Sequence, residues 1–416
     1  MAFPPQIRDI YQQTLNAITE SGLYKQERII TVPQGAEITV EFPAGAPQRS
    51  VINMCSNNYL GLSSHPDVLR SAHEALNARG YGMSSVRFIC GTQDIHRQLE
   101  HALSEFLGSE DTILFSSCFD ANAAVFEALL DDKDIMISDR LVHASIVDGM
   151  RLSKAQHDTY KHADTDHLRK KLEMYRDRPR KMIITDGVFS MDGDLAPLRE
   201  IVALAEEFGA MVFVDDSHAT GFIGPNGRGV HEHFGVVDKI DVLTTTFGKA
   251  LGGASGGCVA GRKEIVEMLR QRGRPYLFSN TLAPVITYTT LQVLKLVRDA
   301  TEQRERLIAN TAYWRKGLTD AGFVIKEGIT PIVPVMLYNA KLAQSVSADL
   351  YAEGVYAVGF FFPVVAQGQA RIRTQLSAAH ERSHLDRALD AFIRVGRKHD
   401  ILGLSSEEII SRFGLS

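Results

Sequence analysis

Lys249 stands in Thr244-Thr-Thr-Phe-Gly-Lys-Ala-Leu-Gly-Gly-Ala-Ser-Gly-Gly257, an amine among hydroxyls and glycines whose nearest charged neighbours along the chain are Asp241 and Arg262. Small residues on either side allow backbone or a flat ligand to approach closely, and an amine so placed suits Schiff-base chemistry with a carbonyl compound. The stretch alone also describes a glycine-rich turn with a solvent-facing lysine. A phosphate-binding loop of the type G-x-x-x-x-G-K-[ST] is excluded, because the chain has Leu243 and Ala250 where that motif needs glycine and a hydroxyl residue.

Other chemistry-bearing residues follow short apolar runs. After Met211-Val-Phe-Val214 come Asp215-Asp216-Ser217-His218. A carboxylate at the end of a buried strand wants a cation, and at ~4 Å with an effective dielectric near 20 the attraction is roughly 4 kcal/mol, enough to hold a proton on a heteroaromatic nitrogen; capping the next helix or pairing an arginine is the alternative. After Thr112-Ile-Leu-Phe115 come Ser116-Ser-Cys118 and a helical run from Ala123. Such a helix start can receive a phosphate, and Ser117 and Cys118 leave room for one, although a plain N-cap satisfies the same residues. His143 follows Asp139-Arg-Leu-Val142, and Ser190 lies in Thr185-Asp-Gly-Val-Phe-Ser-Met-Asp-Gly193. Arg371 and Arg373 alternate along a strand, so that one could clamp a carboxylate. A lysine, a strand-end aspartate, a helix-start phosphate cradle and an arginine clamp are jointly explained by pyridoxal phosphate bound as a Schiff base, with an amino acid as substrate.

The elements that must position these groups are legible as alternating strands and helices. Apolar runs at 112–115, 135–137, 182–184, 211–214, 242–243 and 258–260, separated by helical patterns, predict a largely parallel sheet whose ligands bind beyond the carboxyl ends of its strands. Upstream, Ile7, Ile10, Tyr11, Leu15 and Ile18 share one face of an N-terminal helix that needs something to lie on, strands fall within 36–54, and a helix starts at Pro66. A long helical stretch over 283–318 leads to strands at 332–337 and 370–373 mixed with helices. The expected division is an N-terminal segment 1–60, a large domain 61–290 and a smaller α+β domain 291–416.

A chain of 416 residues with 44% hydrophobic and 23% charged residues is long enough for two cores. Its net charge of −5 offers no broad attraction to nucleic acid or anionic membrane, so a small-molecule partner is expected. Cys55, Cys90, Cys118 and Cys258 are widely spaced free thiols by this reading, and His231-Glu-His233 lacks further nearby ligands, so no metal is expected. No apolar run approaches the ~20 residues of a membrane span and the N-terminus has no targeting pattern, which gives a cytoplasmic expectation.

Ser56-Asn-Asn-Tyr-Leu-Gly61, Asp186-Gly-Val-Phe-Ser-Met-Asp-Gly193, Val214-Asp-Asp-Ser-His218 and Thr246-Phe-Gly-Lys-Ala-Leu-Gly-Gly253 are together highly specific, and through them nearly the whole chain resembles the α-oxoamine synthases. These are pyridoxal-phosphate enzymes of the aspartate-aminotransferase fold (fold type I) that join an amino acid to an acyl-CoA. Ser85-Val-Arg-Phe-Ile-Cys-Gly-Thr-Gln93, Ser116-Ser-Cys-Phe-Asp-Ala-Asn122, Arg274-Pro-Tyr-Leu-Phe-Ser-Asn280 and Ala370-Arg-Ile-Arg-Thr-Gln375 are most similar to the branch that joins glycine to acetyl-CoA. In the 5-aminolevulinate-forming branch, the segment matching Val86-Arg-Phe-Ile89 usually begins with a threonine that helps hold a succinyl carboxylate. Val86 cannot donate that hydrogen bond, which argues for the acetyl group.

The resemblance implies that Lys249 forms the Schiff base, Asp215 pairs with the ring nitrogen, His218 hydrogen-bonds the ring hydroxyl and His143 stacks on the ring. Backbone at Cys118 and Phe119, with Thr246, would hold the phosphate, and Ser279 and Asn280 would reach it from the partner of a homodimer with shared active sites. It further implies a cofactor contact for Ser190, a substrate contact for Asn57 and a carboxylate clamp for Arg373, with His143 also touching substrate. The implied reaction converts glycine and acetyl-CoA to 2-amino-3-oxobutyrate and CoA, reversibly, within threonine breakdown and possible functional coupling to a threonine dehydrogenase.

Overall fold

Seven strands form the central sheet of the computed structural model, which describes residues 3–415: Asp111–Phe115 (β1), Ile135–Asp139 (β2), Gln156–Tyr160 (β3), Lys181–Asp186 (β4), Met211–Asp215 (β5), Val242–Thr246 (β6) and Gly257–Gly261 (β7). Their spatial order is β1-β7-β6-β5-β4-β2-β3. Pairing is parallel from β6 through β3, while β7 runs antiparallel to both β1 and β6. The expectation of a largely parallel sheet therefore holds, with β7 as the reversed strand.

Burial explains why most of these strands read as continuous apolar runs. Met182, Ile183 and Ile184 are fully inaccessible, as are Phe213 and Val214, because helices cover both faces of a parallel sheet. The helix Cys118–Leu129 packs Ala121, Val125 and Phe126 into the core with Phe213, Met136 and Ile146, and each large apolar side chain so buried contributes about 1.5–3 kcal/mol. Edge strand β3 is the exception: Gln156-His-Asp-Thr-Tyr160 is mostly exposed, so hydrophobic patterning does not announce it.

Upstream elements are helices Pro5–Glu20 (α1), Pro66–Arg79 (α2) and Asp94–Leu107 (α3), followed after β1 by Cys118–Leu129 (α4) and after β2 by Ala144–Leu152 (α5). The apolar residues Ile7, Ile10, Tyr11, Leu15 and Ile18 of α1 are all exposed, so among the described residues that face has no cover. The expected helical stretch over 283–318 is two helices, Pro284–Arg298 and Thr301–Asp320. The first ends where Arg304 Nη1 donates to Val297 O at 2.8 Å, a side chain of the second helix satisfying a terminal carbonyl of the first.

The chain divides into two compact units. One contains Asn57–Ser190 and Asp194–Arg306, and with them the seven-stranded sheet. The other contains the chain up to Ser56, the short piece Met191–Gly193 and the chain from Leu307 onward. In this second unit, strands Ile29–Ile30, Glu37–Glu41, Arg49–Asn53 and Val355–Tyr356 form one sheet, and Ile332–Tyr338, Ala370–Gln375 and Gly359–Phe360 form another. Its core includes Trp314, wholly buried, which donates from Nε1 to Thr374 Oγ1 at 2.8 Å and meets Phe392 edge-on. The N-terminal segment, expected as a piece of its own, shares this unit with the C-terminal part of the chain.

Candidate active site

Lys249 follows β6 in a loop pinned at both ends. Phe247 N–H donates to Gly256 O at 2.9 Å, Gly253 N–H to Phe247 O at 3.0 Å, and Thr246 Oγ1 accepts Gly248 N–H at 3.1 Å. Phe247 is wholly buried and anchors the loop. At the return of the loop, a Cβ on Gly257 would strike the Cα and N of Cys118, so glycine there lets the start of α4 lie directly against β7.

A cavity of ≈ 220 Å³ opens at this point in the first unit, at the carboxyl ends of β4, β5 and β6. Seven of the residues chosen from the sequence line it: Cys118, Phe119, His143, Asp215, His218, Thr246 and Lys249. Asn57, Ser190, Ser279, Asn280 and Arg373 are not in its wall. Ser279 Oγ instead lies 3.5 Å from Ser116 Oγ of the same chain, and Asn280 is exposed.

Asp215 ends β5 with its carboxylate almost wholly buried. Asn122 Nδ2 donates to Oδ2 at 2.7 Å and Ser217 N–H to Oδ1 at 3.0 Å. Among the described residues Asp215 makes no ion pair. A buried carboxylate with this arrangement suits a cationic group entering the cavity. Asn122 also brings a buried carbonyl Oδ1 that has no hydrogen-bond partner among the described residues. On the same side, the Nδ1 of His218 is 2.8 Å from the hydroxyl of the fully buried Tyr59, which fixes the imidazole.

The anion side is the start of α4. Ser117 caps the helix by accepting Asp120 N–H at 3.0 Å, while Cys118 and Phe119, whose N–H groups belong to the first turn, form part of the cavity wall. Positive helix-terminal potential and these donors suit a phosphate. The Cys118 thiol, 3.3 Å from Ser217 Oγ, is pushed well above its ordinary range by burial and by the Asp215 charge, so it enters the site as a neutral group.

His143 caps α5. Burial holds its imidazole below the ordinary value, Asp215 pulls it back upward, and the Lys249 cation adds to the lowering. Its backbone N–H donates to Asp186 Oδ1 at 3.2 Å. Asp186, opposite Asp215 on the neighbouring strand, is raised well above the carboxylate range by burial and by repulsion from Asp215.

Sequence reading missed Asp186, Asn122 and Ser145 as cavity residues. Asp186 is within reach of the strand-end rule that selects Asp215, since only Thr185 separates it from Met182-Ile-Ile184; the glycines and Ser190 of its segment suit a tight active-site loop or a turn and draw the reading away from it. Asn122 sits four residues, one helical turn, after Cys118 and so on the same face of α4.

In the other unit, the strand Ala370–Gln375 carries both candidate clamps. Arg371 is committed within that unit: its guanidinium donates to Asp192 Oδ1 at 2.5 Å, Met191 O at 3.0 Å and Gln369 O at 2.9 Å. Arg373 lies 4.5 Å from the centre of the Phe360 ring and 3.9 Å from Met191 Sδ. Arg371 is thereby removed as the alternative carboxylate clamp.

In the His231-Glu-His233 triplet, His231 is buried and bonded through Nε2 to Leu107 O, and among the described residues no group of three or more His, Cys, Asp or Glu is placed so that it could hold a metal ion. Nor is any helix of the described residues long and apolar enough to cross a membrane.

Residues 49–392 match the family model for aminotransferase class I and II. The chain is 51% identical over 399 residues to the 2-amino-3-ketobutyrate coenzyme A ligase of Escherichia coli strain K12, covering 95% of this chain and 99% of that one. It is 47% identical to the mitochondrial 2-amino-3-ketobutyrate coenzyme A ligase of Homo sapiens, covering 95% and 94%. Among solved structures it superposes with a TM-score of 0.89 on a serine palmitoyltransferase from S. paucimobilis with a bound PLP–myriocin aldimine, at 30% identity and covering 96% of this chain and 100% of that one.

Proposed function

The chain belongs to the aminotransferase class I and II family, and on that premise we propose that it is a pyridoxal-phosphate-dependent acyltransferase, a glycine C-acetyltransferase. It condenses glycine with acetyl-CoA to 2-amino-3-oxobutyrate and CoA, reversibly. The observation that carries the reading is one cavity holding Lys249 and a buried Asp215 that makes no ion pair among the described residues. The two ketobutyrate ligase relatives, aligned over nearly their full length, support the choice of substrates.

Pyridoxal phosphate, when bound, supplies an electron-accepting ring that stabilises negative charge on the α-carbon of an attached amino acid. Around it the chain has distinct tasks. Asp215, oriented by Asn122 and Ser217, holds a proton on the ring nitrogen. His218, fixed by Tyr59, addresses the ring hydroxyl. The start of α4 at Cys118 and Phe119, with Thr246, would hold the phosphate, and His143 would contact the ring. Lys249 would anchor the cofactor, and its amine is the group that would take and return the α-proton of glycine. The glycine carboxylate falls to Arg373, with Asn57 as a further substrate contact and Ser190 as a further cofactor contact.

A homodimer belongs to the same reading, with Ser279 and Asn280 serving the partner's phosphate site. It is supported by the exposed apolar residues Phe88 and Ile89 in a turn and Phe278 at the end of the helix Arg274–Phe278, and by the exposed apolar face of α1. The setting proposed is cytoplasmic, in threonine breakdown, functionally coupled to a threonine dehydrogenase. For the anchor, Lys249→Ala should abolish the visible absorbance of the lysine-bound cofactor and reduce turnover at least a thousandfold (~4 kcal/mol). Unchanged absorbance and turnover would sink the assignment.

A further inference from the structure

Between Asp215 and His143, the two groups assigned to the cofactor ring from different elements, runs an unbroken chain of hydrogen bonds that is buried as far as Ser145. Asn122 Nδ2 lies 2.7 Å from Asp215 Oδ2 and 2.8 Å from Ser145 Oγ, and Ser145 Oγ lies 2.7 Å from His143 Nδ1. Asn122 and Ser145 are each 1% exposed, so water does not compete for the two bonds that Asn122 makes, while the last bond reaches the exposed His143. Resting on the proposed cofactor site, we propose that Asn122 and Ser145 are positioning residues that tie His143 to Asp215 and fix the imidazole as an Nε2–H donor at the cavity.

Proton accounting gives the direction of each bond. The Asn122 amide must turn its nitrogen toward Asp215, because the reverse orientation would set its carbonyl against a carboxylate. Its two hydrogens then go to Asp215 and to Ser145 Oγ. With that oxygen accepting from Asn122, the Ser145 hydroxyl hydrogen is available for His143 Nδ1, toward which Ser145 N–H also points at 3.3 Å. Two donors aimed at Nδ1 make it an acceptor. The hydrogen of the neutral ring is thus on Nε2, where it serves a substrate oxygen but not as a base.

The charged and titratable groups around His143 agree with a neutral ring. Asp215 favours its protonation, Lys249 opposes it, and Asp186, at its backbone, is shifted toward its neutral form. The arrangement also accounts for the unpartnered Oδ1 of Asn122. Both amide hydrogens are needed, and leaving one buried acceptor unsatisfied is the cost of supplying them from a single side chain. A residue serving only to fill space would be better as leucine, which has no carbonyl to bury.

The test reads the tautomer, independently of turnover, by nitrogen-15 NMR of histidine-labelled holoenzyme, with His143→Gln identifying the resonances. The wild type is expected to show a protonated Nε2 and a bare Nδ1 at neutral pH. Ser145→Ala should give a mixture of tautomers and lower kcat about tenfold, the worth of one hydrogen bond, with little change in the KM for acetyl-CoA. Ser145→Thr, which keeps the hydroxyl, should restore both. Asn122→Leu should disturb the His143 signal without touching that residue. A protonated Nδ1 in the wild type, or identical His143 spectra in wild type and Ser145→Ala, overturns the proposal even if the protein proves to be an acetyltransferase. If no glycine-dependent CoA release is found but the tautomer behaves as stated, the functional reading alone fails.

Discussion

Asp216, next to the proposed ring partner Asp215, offers a test of how burial is tolerated in this fold. It is wholly inaccessible; Thr220 Oγ1 donates to Oδ2 at 2.7 Å and Val230 N–H to Oδ1 at 3.1 Å. The backbone closes so tightly that a Cβ on Gly229 would overlap Oδ2, and Gly229 has a φ of 129°, which side-chain-bearing residues rarely adopt. Burial, reinforced by the Asp215 charge, raises the carboxyl from 3.8 to about 7 against the two hydrogen bonds. Between those values the folded chain keeps a proton that the unfolded chain has released. Stability therefore falls as pH rises through that window, by roughly 4 kcal/mol when three pH units are each worth about 1.4 kcal/mol. Asp216→Asn keeps the shape and both hydrogen-bond partners but has no charge to desolvate. The difference in unfolding free energy from urea titrations between variant and wild type should be smallest at about pH 4 and should grow to roughly 2–4 kcal/mol in favour of the variant above about pH 8. Comparing the two proteins at each pH removes the contribution of other titrating groups. A difference independent of pH, or a variant weaker throughout, refutes the argument that Asp216 is held near neutrality by burial.

Three further substitutions separate stability from binding. Glu100→Gln removes the charge between Arg87 and Arg270, whose side chains are 3% and 8% exposed, and should cost about 3–5 kcal/mol in urea unfolding because buried Arg87 loses its carboxylate and Arg270 keeps only the longer pair with Asp111 at 3.7 Å; a loss below about 1 kcal/mol would contradict this. Arg373→Ala should weaken glycine binding by roughly 1.5–3 kcal/mol, seen as a raised KM for glycine with acetyl-CoA affinity kept, and unaltered glycine affinity would move the carboxylate site elsewhere. Arg371→Ala, which breaks the bonds to Asp192 and Met191, should show its loss mainly as a lowered unfolding midpoint.

Strand positions were legible wherever burial on both faces wrote an apolar run, as at Met182–Ile184 and Met211–Val214. β3 was not, because an exposed edge imposes no such run on Gln156–Tyr160. The reversal of β7 was hidden too: its residues Cys258, Val259 and Ala260 are buried as in a parallel strand, and only the short Phe247–Gly256 loop sets its direction. At the site, residues that immediately follow strands could be found by position, and Lys249, Asp215 and His218 do converge on one cavity. Asn122 and Ser145 could not be found that way. They lie inside helices, and their importance comes from facing each other across 23 residues of chain. Phe119 and Thr246 line the wall with them, whereas Ser279 and Asn280 lie outside it.

The most direct measurement is release of CoA from acetyl-CoA by the purified, pyridoxal-phosphate-loaded protein with and without glycine, repeated with succinyl-CoA and pimeloyl-CoA. Val86, lacking a hydroxyl to hold a second carboxylate, leads to glycine-dependent release that is fastest with acetyl-CoA and accompanied by 2-amino-3-oxobutyrate. No glycine dependence, or a clear preference for either longer donor, would contradict the account.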